Sequence, residues 1–132
     1  MSLNWPKAHF GSSAEFQVSS WPFVTASNVA TTNDIVNIKF PGVTRWICVH
    51  NNESAGASKT LKVGFTENGL SDGFHYLVHA GEQTQRWELK CTELFVGAEH
   101  DDITFSVIAG YTNVPVSQFP VLTGSNGFVG VG

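Results

Sequence analysis

The chain has 132 residues, of which 42% are hydrophobic and 14% charged, with a net charge of −4. That length suits one domain burying roughly two-thirds of its surface, and a charge content well below the about 25% of ordinary globular proteins, made up by Ser, Thr, Asn and Gly, is a β-type composition. Seven scattered Lys and Arg residues argue against a basic face for nucleic acid, and no apolar run approaches the ~18 residues needed to span a bilayer, so neither partner is expected.

Residues 1–14 read as an extended N-terminal arm carrying Trp5 and Phe10, with Lys7 its one fixed positive side chain. It lacks a basic segment followed by an apolar core, so no signal peptide is expected. A first strand is predicted over Glu15–Ser20, and from Phe16 to Asn33 the chain has no charge.

The middle of the chain alternates short strand-like segments with turn residues. Asp34–Phe40 ends at Pro41-Gly42, a strong turn signal. Val43–His50 follows, with Trp46 and Cys48 on one face and Ile47 and Val49 on the other, so both faces of that strand meet something apolar. After the polar loop Asn51–Ser58, Lys59–Thr66 places Leu61, Val63 and Phe65 on one side. Asn68-Gly69 and Asp72-Gly73 punctuate the next loop, and no segment shows a convincing helical period. Phe74–His79, Thr84–Cys91, Thr92–Val96 and, after the loop Gly97–Asp102, Ile103–Ile108 complete the series.

About eight strands at 8–12-residue spacing predict an all-β, two-sheet antiparallel sandwich over residues 15–110. Ile35, Val49, Leu61, Val63, Phe65, Tyr76, Trp87, Leu89, Phe105 and Val107 are expected between the sheets. A jelly roll is the most economical arrangement of eight such strands. An immunoglobulin-like sandwich ranks second, because the Cys-Trp-Cys spacing that would mark it is missing. Cys48 and Cys91 are read as free thiols in a reducing compartment.

Residues 111–132 read as an apolar C-terminal arm. After Asp102 the chain has no charged side chain and no histidine, yet it carries Tyr111, Phe119, Leu122 and Phe128. An apolar tail in water gains nothing, so it needs a surface to lie on. Pro115, Pro120 and the closing glycines argue against a regular element there.

Signals for chemistry are few. His75 and His79 lie near Glu82, but residues four apart on a strand are ~13 Å from each other and cannot grip one metal ion. The cupin spacing of two histidines separated by one residue is missing. Glu99, His100, Asp101 and Asp102 could offer oxygen ligands to calcium, but they read more simply as a solvated hairpin connection. Asn52-Glu53-Ser54 is a glycosylation sequon without a secretory context. Trp5, Trp21, Trp46 and Trp87 are more naturally core and interface residues than a sugar platform. No nucleophile elbow, P-loop or dinucleotide fingerprint is present. No catalytic, cofactor-binding or metal residue is therefore assigned, and no enzyme activity is expected.

The segment Phe105–Pro115, followed by Phe119–Gly127, resembles the closing region of small single-jelly-roll virion proteins, such as vertex (penton) or minor capsid proteins of icosahedral DNA viruses and tailless phages. The resemblance implies a structural capsid subunit, residing in the virion and assembled in the host cytoplasm. It implies partnership with itself, as a pentamer or trimer, and with other virion proteins. A basic N-terminal arm of the kind that neutralises packaged nucleic acid is lacking, which favours a vertex, cement or decoration role. Trp5, Trp21, Phe23, Tyr111, Phe119, Leu122 and Phe128 are the candidate interface residues, with arm exchange between identical subunits as the mechanism. A carbohydrate-binding or receptor-binding module is the alternative, and a cupin-type enzyme ranks last.

Overall fold

A computed structural model describes residues 20–132. Trp5, the arm at residues 1–14 and all but the last residue of the strand expected at Glu15–Ser20 lie outside the described residues. Among the described residues there are seven strands: β1 (Trp21–Val29), β2 (Val36–Lys39), β3 (Thr44–Asn51), β4 (Leu61–Gly64), β5 (Tyr76–Val78), β6 (Glu93–Ala98) and β7 (Ile103–Tyr111). They form a three-stranded antiparallel sheet in the order β1-β7-β3 and a four-stranded one in the order β2-β6-β4-β5.

The pairing follows one rule over much of the chain. Trp21 pairs with Tyr111, Val29 with Ile103, Val36 with Val96 and Lys39 with Glu93. Each step forward along the first half is matched by one step back along the second, with no offset between the two strand pairs. Farther in, β3 meets the segment 82–91. Asn51 N donates to Glu82 O, Ile47 and Trp87 exchange backbone bonds at 2.9 and 2.8 Å, and Thr44 N donates to Cys91 O. The innermost pair is β4 with β5. Residues 21–111 thus form one long hairpin with its tip near residues 64–76, its successive pairs alternating between two sheets.

Period-2 alternation sets the core between them. Val49, Leu61, Val63, Phe105 and Val107 are buried as the sequence predicts, with Ile47, Leu94, Val96 and Ile103. Phe65, Trp87 and Leu89 are half-buried against this core. Two expectations are corrected. Ile38 and Phe40 point inward, so Ile35, of opposite parity, is turned out. Tyr76 has the right parity but sits at the rim, 58% exposed, with its ring edge-on to Trp87 at 5.3 Å between centroids.

Other elements differ from the reading of the sequence. β1 begins where the first expected strand ends. Thr84–Cys91 follows β3 without forming a regular strand; Ile47–Trp87 and His50–Gln83 are isolated bridges. Glu67–Asp72 is a short helix, α1, rather than a plain loop. Six residues are too few to show a helical period, but Thr66 caps the start and Gly73, in the left-handed region, ends it.

Cys48 and Cys91 are free thiols. Cys91 is aligned with Thr44, four positions along β3 from Cys48, and that offset alone is ~13 Å, beyond the reach of a disulfide.

Candidate functional site

The two outer faces of the sandwich are treated differently. On the four-stranded sheet, the outward positions Gly64 and Gly97 have no side chain, and α1 lays Leu70 across them. A Cβ at Gly64 would lie 3.2 Å from one Leu70 methyl, and one at Gly97 3.3 Å from the other. Leu70 is buried by this contact, 4% exposed, which stabilises the helix on the sheet by about 2 kcal/mol.

The chain's end reinforces that cover. Residues 112–132 carry two 3₁₀ turns, Val116–Gln118 and Gly124–Asn126. Leu122 packs against the core. The Thr66 hydroxyl accepts from Gly69 N at 2.9 Å and donates to Val131 O. The stretch read as an arm for a neighbour is therefore held by its own sandwich. Beneath it lies a groove of about 390 Å³, lined by Phe65, Phe95, Phe119 and Leu122 together with Thr66, Glu67, Asn68 and Glu93.

The outer face of the three-stranded sheet has no such cover among the described residues. Alternation puts Pro22, Val24 and Ala26 of β1, Ser106, Ile108 and Gly110 of β7, and Trp46, Cys48 and His50 of β3 on that side. In register, Val24 is beside Ile108 and Ile108 beside Cys48. Val24 is 68% and Ile108 43% exposed. The indole of Trp46 lies over Gly110, where an added Cβ would stand 2.4 Å from Nε1. At the far side the Arg86 guanidinium sits 5.9 Å from the Trp46 ring. The outward positions just named carry no Lys, Arg, Asp or Glu, and charge reaches this face at its ends, through Arg86 beside Trp46 and through the Glu53 carboxylate bonded to Thr104. The face's apolar character beyond the core was foreseen at Trp46 and Cys48; Val24 and Ile108 were missed.

The candidate interface residues fall in several places. Trp21 is exposed at the start of β1, its Nε1 donating to Asn113 Oδ1 at 3.1 Å. Phe23 turns inward, edge-on to Phe40 at 5.3 Å. Tyr111, Phe119, Leu122 and Phe128 are half-buried in their own fold.

The acidic loop residues hold loops together. Asp101 Oδ1 accepts from Thr32 N, and Asp102 Oδ1 from Asn28 Nδ2. Glu53 accepts from both the hydroxyl and the amide of Thr104 and pairs with Lys59 at 3.3 Å. The Thr104 bonds, hydroxyl first, and then Lys59 hold the Glu53 carboxyl down to about 2. His75 and His79 take separate partners, Gly69 O and the Thr60 hydroxyl. Among the described residues no three His, Cys, Asp or Glu side chains gather in a way that could hold a metal ion. Burial pushes the Cys91 thiol up to about 11, against the Thr44 hydroxyl bond that lowers it, so this cysteine stays a neutral core group.

No protein-family model matches this chain, and no curated protein matches it.

Proposed function

We propose that this protein is a structural subunit that works by self-assembly, in the manner of a virion vertex, cement or minor capsid protein, and that its sandwich is a jelly roll. The rolled hairpin supports the fold: β1 with β7, β2 with β6, β3 with the segment 82–91, and β4 with β5 make four antiparallel pairs distributed over two sheets. Counting the irregular segment 82–91 gives the eight positions of such a fold. The observation that carries the function is the outer face of the three-stranded sheet, which no described element covers and whose central positions Val24, Ile108 and Cys48 are apolar. An apolar patch of this kind on a small charge-poor protein marks a surface for another protein. The partners are further copies of the chain and other virion proteins, without direct contact to the genome.

The test is multi-angle light scattering across a concentration series. A defined oligomer is expected in the micromolar range. A monomer at every accessible concentration would overturn the reading.

The groove under the tail favours a second reading, a module for a small ligand such as a carbohydrate. Its three phenylalanines and two carboxylates combine apolar walls with a few polar groups, as ligand sites do. Titration with sugars, followed by the fluorescence of Trp87 beside Phe65, tests it; an unchanged signal throughout would remove it.

A further inference from the structure

Among the described residues the sandwich has four sheet edges, and three of them are blunted. β2 is four residues long, follows Asp34 and ends in Lys39. β5 has three residues, with a histidine on either side. The segment 82–91 is irregular and presents Glu82, Arg86, Glu88 and Lys90. Short length, charge and irregularity are the devices by which proteins keep sheet edges from pairing with other chains.

β1 has none of them after Pro22. It is nine residues long, pairs with β7 in unbroken register and carries no charge. Alternate residues of an antiparallel edge strand turn their N–H and C=O groups away from the sheet, and here those groups form a row with no neighbouring strand among the described residues.

We infer that β1 is a self-pairing edge: two copies of the chain join β1 to β1 in antiparallel register about a two-fold axis, fusing their three-stranded sheets into one of six strands. This rests on the assembly reading above and specifies its contact. Full overlap of Trp21–Val29 puts the axis at Thr25, so that Thr25 faces Thr25 of the second copy and Val24 faces Ala26. A two-fold contact sets the same strand against itself, so charges of one sign near the axis would oppose one another; this strand has none. The pairing also joins the two outer faces, since Val24 and Ala26 continue the row begun by Ile108.

Three proteins distinguish the outcomes: wild type, the double variant Val24→Lys with Ala26→Lys, and Ile108→Lys. The double variant sets ammonium groups against each other across the axis, at positions exposed in the single chain. It should weaken association about ten-fold or more. Ile108→Lys alters the same face one strand in from the edge and should leave the mass unchanged. Hydrogen exchange of residues 21–29 should slow on assembly and quicken on dilution.

Loss of assembly in Ile108→Lys but not in the double variant would overturn the edge and leave the assembly reading standing, through the face. A wild-type monomer would overturn both. Slow exchange of β1 in a monomer would mean that the chain's own residues 1–19 cover the edge, and would also overturn the proposal. If the double variant fails to fold, the concentration dependence of exchange in the wild type decides: no dependence overturns it.

Discussion

Asn51 is the sharpest place to test how the two sheets are held. It ends β3 and is fully buried. Its Nδ2 donates to Lys59 O at 3.0 Å, just before β4, and to Val78 O at 2.9 Å, in β5; its Oδ1 accepts from Glu53 N at 3.1 Å. One side chain of the three-stranded sheet thus ties down both ends of the loop 52–59 and the edge of the other sheet. Asn51→Ala removes all three bonds and strands two carbonyls and one amide. At about 1 kcal/mol for each bond, the loss is about 3 kcal/mol, and more where the stranded groups stay dry. A domain of this size has a total stability of roughly 7–20 kcal/mol. The melting temperature should fall by about 10 °C. Urea unfolding followed by tryptophan fluorescence gives the free energy directly. A loss below about 1 kcal/mol would mean that water replaces the side chain without cost, and that the clamp is not structural.

Two further outcomes follow from the same geometry. Thr66→Val removes both the cap on α1 and the bond to Val131, at about 1 kcal/mol each. Carboxypeptidase should then trim the C-terminus faster than in wild type, and unchanged trimming would refute the latch. Glu53 has its folded pKa depressed to about 2 from an ordinary 4.5. Its contribution is therefore complete above the ordinary value and is lost as pH falls through that window. Melting temperature should drop less steeply between these pH values in Glu53→Gln than in wild type; parallel curves would show that the Thr104 and Lys59 contacts do not favour the ionised form.

The strands carrying strict alternation were legible. Lys59–Thr66 contains β4 and Ile103–Ile108 lies within β7, and their inward residues are those the pattern named. Phase errors arose where two apolar neighbours compete. In Ile35-Val36 only the later pair, Ile38 and Phe40, decides which faces in. β1 was illegible for a related reason: Trp-Pro-Phe-Val-Thr-Ala-Ser-Asn-Val is apolar or neutral on both faces, and alternation cannot register a strand whose outer face is not polar. The cover on the other sheet was hidden in two glycines. Gly64 sits unmarked inside the expected strand Lys59–Thr66 and Gly97 opens the expected loop, but together they are the flat ground on which Leu70 rests. The interface prediction took the large apolar residues of the two charge-poor ends, because lack of charge does not tell an internal contact from an external one.

Lack of charge has opposite meanings at the two ends of the described chain. In the tail it accompanies internal contacts: Leu122 reaches the core and Val131 is bound by Thr66. Isolated exposed valines there, such as Val129, need no partner. In β1 it accompanies a row of backbone groups that no described strand pairs, beside an apolar face. Backbone groups on an edge offer a template at every second residue, whereas a scattered valine offers none. Assembly is therefore argued more strongly from β1 than from the tail, and the two can be separated. Deleting residues 124–132 should loosen α1 and the groove while leaving the oligomer intact, because Val131 and Gly132 lie against Thr66 and Gly69 at the start of α1. A deletion that dissolves the oligomer would return the interface to the tail.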